Sequence, residues 1–238
     1  MIKGVETHTF RGASYRAFPG NVMLLNADEP HSSQSVNTEY RIIHISPVTL
    51  TRIGYECYGD GFKTPYFSVP IIRDPKIFRS LLNLHLTLEK NFSPLEQESE
   101  LVSVVGSMLA QLNGITGGSQ ISRKESGNIK LIQDYLRYHY AETVSLAQLA
   151  SMVNLSSFYF LRVFRDQVGV PPHEYQTQLR VSQARKLIQN GCPISQAALE
   201  TGFFDQSHFT RNFRRIVGIT PGRYLSQSNI VQDVEHGV

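Results

Sequence analysis

The chain of 238 residues has no tryptophan and only two cysteines, Cys57 and Cys192. Two cysteines this far apart match no metal or redox spacing, and free thiols in such numbers are ordinary in a reducing compartment. No run of about 18 apolar residues occurs, so no helix is expected to cross a bilayer. The opening residues, Met1-Ile2-Lys3-Gly4-Val5-Glu6, lack the apolar core of a signal peptide. A soluble, cytoplasmic protein without a membrane partner is therefore expected. The sequence also lacks a phosphate-binding glycine loop, a Ser-His-Asp order and a His-x-His pair. No cofactor, no metal and no enzymatic activity are expected.

The basic charge is unevenly placed within a net charge of +3. Residues 1–122 carry 10 Lys or Arg against 11 Asp or Glu, a net of −1, whereas residues 123–238 carry 13 against 9, a net of +4. The positive excess lies wholly in the C-terminal part, as a polyanionic partner would require.

Residues 1–72 alternate short apolar runs with turn formers. The runs include Val22-Met23-Leu24-Leu25 and Arg41-Ile42-Ile43-His44-Ile45, and the turns Pro19-Gly20-Asn21 and Asn26-Ala27-Asp28-Glu29-Pro30. This texture predicts strands and turns in an antiparallel sheet or barrel. It changes at Asp74-Pro75, a helix start. Ser93-Pro94-Leu95-Glu96 then forms a capping box. Helices are expected at about 75–91 and 94–112, covering the sheet or packing on a second copy, so residues 75–112 are a candidate homodimer contact. The Gly- and Ser-rich segment 114–127 reads as a linker. The expected organisation is a domain at 1–113, that linker, a helical domain at 128–228 and a tail at 229–238.

The helical part repeats itself. Phe164-Arg165-Asp166-Gln167-Val168-Gly169-Val170-Pro171-Pro172-His173-Glu174-Tyr175 returns as Phe213-Arg214-Arg215-Ile216-Val217-Gly218-Ile219-Thr220-Pro221-Gly222-Arg223-Tyr224. Phe160 and Arg162 likewise return as Phe209 and Arg211. Each copy predicts a short helix, a tight turn and a second helix opened by Ser156 or Asp205, which is the grammar of a helix-turn-helix. Phe160, Phe164, Phe209 and Phe213 are expected inside. The outward faces then show Phe158, Leu161, Arg162 and Arg165 in one copy, and Ser207, His208, Thr210, Arg211, Arg214 and Arg215 in the other. A helix with such a face enters the major groove of double-stranded DNA. Expected base readers are Phe158, Leu161, Arg162, Ser207, His208, Thr210 and Arg211, with Arg162 and Arg211 suited to guanine. Ser156, Arg165, Gln206, Arg214 and Arg215 are expected on phosphates. Glu174 to Ile188 reads as one connecting helix with Tyr175, Leu179, Ala184 and Leu187 inward. At ~1.5 Å per residue it spans ~22 Å, a spacer for two adjacent groove faces.

Over about residues 128–226 the sequence resembles the AraC/XylS family of transcription regulators. The resemblance rests on Leu146-Ala147-Gln148-Leu149-Ala150, Leu155-Ser156, Arg180-Val181-x-x-Ala184-Arg185-x-Leu187, Gly202-Phe203-x-Asp205-x-Ser207-His208-Phe209-x-Arg211-x-Phe213-Arg214, and Gly218-Ile219-Thr220-Pro221-x-x-Tyr224. Pro193 stands where a capping Ser or Thr is usual, and Ala197 where Ile or Val is. The N-terminal part resembles the family's cupin-like sensor barrel through Pro19 to Leu25 and Glu29-Pro30-His31. The resemblance implies an α+β chain: a β-rich, cupin-like and incomplete barrel with two helices, then an all-α domain of two helix-turn-helix units joined by a linker helix. It further implies promoter DNA and RNA polymerase as partners. A small-molecule effector is implied as well, for which Tyr15, Phe18 and His31 are the candidate residues. Two competing readings remain. One is a metal-dependent cupin enzyme using His8, His31, His44 and Glu29; the other is a regulator that works through dimerisation without an effector.

Overall fold

The computed structural model describes residues 1–238 except 11, 28, 60, 61, 63–65, 68, 69, 90, 91, 113–122 and 227–238. The expected linker therefore lies mostly, and the tail from residue 229 entirely, outside the described residues. By internal contacts the chain divides into two units. One contains Met1–Lys90 and Glu100–Ser119, the other Asn91–Ser99 and Gln120–Val238. Residues 91–99 thus go with the helical part, although sequence texture groups them with residues 1–113.

The first unit is built on two small antiparallel sheets. Strand β1 (Lys3–Phe10) lies between β2 (Ala13–Ala17) and β4 (His31–Glu39). The pair β3 (Val22–Met23) and β5 (Ile71–Ile72) forms the second sheet. Along β1 the side chains alternate as the pleat demands, with Glu6, His8 and Phe10 buried. The register sets His8 opposite Tyr15 and Ser33, and Phe10 opposite His31.

The strand reading of residues 1–72 fails in three places. Residues 41–45 are not a strand, and only Val22-Met23 of the first run pairs. Helix α1 (Pro47–Tyr58) occupies a region expected to be extended. Its local signal is plain once seen: Ser46 accepts from the Thr49 amide at 3.1 Å and Pro47 sits in the first turn. Leu50 and Ile53 of α1 pack with Val105 and Leu109 of α3 (Pro94–Leu112). The Tyr58 hydroxyl donates to the Gly106 carbonyl at 2.7 Å, pinning the same two helices. Helix α2 (Pro75–Glu89) starts on Asp74, whose carboxylate accepts from the Lys76 and Ile77 amides. Both cysteines are free, and burial pushes the Cys57 thiol up to about 12, so it stays protonated.

The second unit realises the repeat. After α4 (Arg123–Tyr138) come α5 (Leu146–Met152) and α6 (Ser157–Val168), then the connecting helix α7 (Pro172–Gln189), then α8 (Ile194–Glu200) and α9 (Gln206–Val217). Helical structure also covers 221–226. Helices α5 and α8 are both 7 residues long, and α6 and α9 both 12. Ser156 caps α6 through the Tyr159 amide and Asp205 caps α9 through the His208 amide, at matching positions. Both helices end on a left-handed glycine, Gly169 (φ 86°) and Gly218 (φ 90°), where an L side chain would be strained.

The aromatic interior repeats as well. Phe160 meets Phe164 edge-on at 5.7 Å, and Phe164 meets Tyr175 at 5.8 Å. Phe209 meets Phe213 at 5.4 Å, and Phe213 meets Tyr224 at 5.6 Å. All four phenylalanines are fully buried, and edge-to-face packing adds to their area burial. Pro193 provides no side-chain cap for α8, and Ala197 contributes only a methyl to the core formed with Val181, Ala184, Ile188 and Phe203. Phe213→Ala should cost about 3–5 kcal/mol by leaving a cavity in that core. Urea denaturation of the full chain measures it, and a loss below about 1 kcal/mol would contradict this packing.

Candidate nucleic-acid interface

The caps and aromatic trios orient α6 and α9 so that each turns one face inward. Phe160, Val163 and Phe164 face inward on α6, and Phe209 and Phe213 on α9. Arg165 on α6 is exposed, as are Gln206, Ser207, Arg211 and Arg214 on α9. Phe158, Arg162 and Thr210 are half-buried. The equivalent arginines differ in setting: Arg162 lies over the Tyr159 ring at 5.0 Å, a stacking that restrains its guanidinium, whereas Arg211 stands free of such a platform in the ring contacts described.

Two expected base readers do not reach the surface. Leu161 is 6% exposed and His208 is 7% exposed. The His208 ring is covered edge-on by Phe203 at 5.5 Å and by Phe92 at 5.4 Å. Burial, and after it the charge of Arg211, lowers its pKa, which favours the neutral ring. Amphipathic spacing alone did not reveal this, because Phe92 is remote in sequence. Arg215 is exposed but already paired with Glu174 of α7 at 2.8 Å, and it also donates to Asn212 at 3.2 Å. Ser156 spends its hydroxyl oxygen on the Tyr159 amide. The turn of the second copy is one residue longer than the first, and Phe204 in it is 63% exposed.

The inward face of α7 is in part the one expected: Ala184 is fully buried, Leu187 packs against the second core and Tyr175 against Phe164. Tyr175, Leu179 and Leu187 are only half-buried. The buried residues are Pro172, His173, Gln176, Arg180, Val181, Ala184 and Ile188. At 18 residues the helix is ~27 Å long, longer than the span from Glu174 to Ile188. Glu98, in the second turn of α3, was also unanticipated. Its carboxylate accepts from the Leu146 and Ala147 amides at 2.8 and 3.3 Å, capping α5 together with Ser145.

Residues 149–227 match the Helix-turn-helix domain family, and residues 1–105 match the AraC-like ligand binding domain. The HTH-type transcriptional regulator YbfI of Bacillus subtilis is 30% identical over 209 residues, which are 87% of this chain and 75% of that protein. The chain belongs to the AraC family of transcription regulators. The probable transcriptional regulator LumQ of Photobacterium leiognathi is 29% identical over 224 residues, 94% of this chain and 86% of that one. A solved AraC-type regulator from Chromobacterium violaceum aligns at 26% identity and a TM-score of 0.41, covering 45% of this chain and 96% of that chain.

Within the AraC-like ligand binding domain, the sheet collects polar groups on the buried face of β1. Half-buried Tyr15 lies opposite His8 and exposed His31 opposite Phe10 by register, with the His8 and His31 rings 6.5 Å apart. Glu6 is buried beside them, accepting from Ser35 at 3.3 Å and lying 3.5 Å from His8. Phe18 lies just past β2, 41% exposed beneath the Arg16 guanidinium. Sequence reasoning missed Glu6 and weighed His8 only as a metal ligand; the alternation along β1 was the available signal for their pairing. The residues of the metal reading do not converge. Glu29 is held by Asn26 and Tyr66, and His44 is exposed. Among the described residues no group of three His, Cys, Asp or Glu is placed to hold a metal.

His173 gives the second unit a pH dependence. It is 8% exposed, and burial, against the pull of Glu174, lowers its pKa from 6.5 to about 4. The unfolded chain therefore binds a proton that the fold refuses. Stability from this group is complete above about pH 6.5 and is lost as pH falls toward about 4. Between pH 7 and pH 5 the loss should be about 2 kcal/mol. His173→Gln should flatten that slope in urea denaturation, and an unchanged slope would assign the effect elsewhere.

Proposed function

We propose that this AraC-family regulator reads an asymmetric promoter sequence as a monomeric unit. Helices α6 and α9 would enter successive major grooves of double-stranded DNA. The observation that carries this reading is the duplicated cap, aromatic trio and exposed arginine of the two helix-turn-helix units. Arg162 and Arg211 are the principal base readers, helped by Phe158, Ser207 and Thr210. Arg165, Gln206 and Arg214 hold phosphates, and the Ser156 segment presents the N-terminus of α6 to the backbone. Arg215 joins them only by leaving Glu174. The N-terminal unit takes a small polar effector at the sheet face that carries Tyr15, His31 and the buried Glu6–His8 pair. Binding there shifts the population of DNA-competent molecules. RNA polymerase is the protein partner that the family implies. A homodimer through residues 75–112 is supported by Leu88 and Leu112, 42% and 39% exposed on α2 and α3.

Binding is tested with a duplex enriched from a random-sequence library by the full chain. Arg211→Ala should lose about 1–3 kcal/mol on that duplex and relax the preference at one position. Arg214→Ala should weaken all sequences alike and lower the salt slope by about 1. Equal effects of the two variants on sequence preference would contradict the assignment of reader and anchor. An affinity that ignores salt would remove the electrostatic basis of the reading.

A further inference from the structure

The two helix-turn-helix units share a buried polar clamp. After α4 the chain passes through Tyr140, Ala141 and Glu142 before entering α5. Three residues from two parts of the second unit close on this loop. From α7, Arg180 donates through Nε to the Tyr140 carbonyl at 2.7 Å and through Nη2 to the Glu142 carbonyl at 2.9 Å. Gln176, one turn earlier, donates through Nε2 to the same two carbonyls at 3.2 and 3.0 Å. From the turn of the second helix-turn-helix comes Gly202, at φ 82°, where a Cβ would run into the Ala141 carbonyl. The loop therefore leads into the first unit, is gripped by the connecting helix and is touched by the second unit.

Chemistry makes this clamp hard to rearrange. Arg180 is 5% exposed and Gln176 is 2% exposed. A guanidinium and an amide in that setting need their acceptors, because a buried donor left unpaired carries its full desolvation cost. Burial lowers the Arg180 pKa only to about 10, opposed by the charge of Glu96, so it remains a cation at neutral pH. The planar fork suits two carbonyls two residues apart, which an ammonium cannot span in the same way. Gly202 adds a contact that tolerates no side chain. A helix of ~27 Å alone fixes a distance between two recognition helices; the clamp at its side fixes their rotation about it.

We propose that the 140–142 loop, held by Arg180 and Gln176 and abutted by Gly202, sets the relative placement of the two recognition helices, making Arg180 a positioning residue for two-segment DNA reading. The inference rests on the proposed reading of DNA by both α6 and α9. Two heads held in register bind a second segment at a high effective concentration, and loosening the register forfeits that gain.

The test uses the full chain and a duplex that it enriches from a random library, together with the same duplex scrambled in either segment. Arg180→Lys should lose at least about tenfold on the intact duplex yet bind each half-scrambled duplex within about twofold of the unaltered protein. It should also tolerate one inserted base pair between the segments better than the unaltered protein does. Gln176→Met, which keeps shape and removes the donor, should act in the same direction and is decisive if Arg180→Lys fails to fold. Equal losses on intact and half-scrambled duplexes, or no loss on either, would overturn the positioning role. If the unaltered protein enriches no two-segment sequence, the two-headed reading itself fails and this inference with it. If it enriches one and the variants behave alike on all duplexes, only the positioning role fails.

Discussion

The edge-to-face packing of Phe160, Phe164 and Tyr175, repeated by Phe209, Phe213 and Tyr224, is the constraint on which the DNA-binding part depends. Each trio ties a recognition helix to the segment that follows it. Phe164 brings α6 onto α7, and Phe213 brings α9 onto the helical stretch at 221–226. Because the four phenylalanine rings are wholly buried, they also decide which face of each helix is left outside. The exposed arginines are therefore a consequence of the core as much as of their own chemistry. A left-handed glycine after each helix turns the chain back so that the third ring can arrive.

The two units are alike in core and unlike in detail. The first has α5 capped twice, by Ser145 and by Glu98, and Arg162 stacked on Tyr159. The second has α8 opened by Pro193 without a side-chain cap, and a freer Arg211. The second face is richer in exposed polar groups, whereas the first helix-turn-helix is better braced. Such a division suits one firm anchor and one more adaptable reader.

Much of this was legible in the chain itself. The repeat of Phe-Arg-x-x-Val-Gly with a distant Tyr carried the duplicated fold, because it encodes local contacts at fixed spacing. Asp74, Ser93, Ser156 and Asp205 marked helix starts through short-range bonds that the structure contains. What was illegible is what depends on partners far along the chain. The inward turn of Arg180 and Gln176 is set by carbonyls far along the chain, so the apolar spacing of Tyr175, Leu179, Ala184 and Leu187 could not include them in the inward face. His208 appeared exposed until Phe92 and Phe203 covered it. Helix α1 was hidden because β-branched and aromatic residues in 47–58 mimic strand composition, and only Ser46-Pro47 betrays the cap.

At the N-terminal unit the alternation along β1 places a carboxylate and an imidazole on a buried face, which is costly unless they serve each other or a ligand. The effector side of the account stands on that sheet face, and the DNA side on the duplicated helices. The most direct measurement of the central claim is hydroxyl-radical footprinting of the full chain on a duplex it selects. The account predicts two protected segments on one face of the helix, about one turn (~10 base pairs) apart. A single protected segment, or two on opposite faces, would contradict a paired reader held in fixed register.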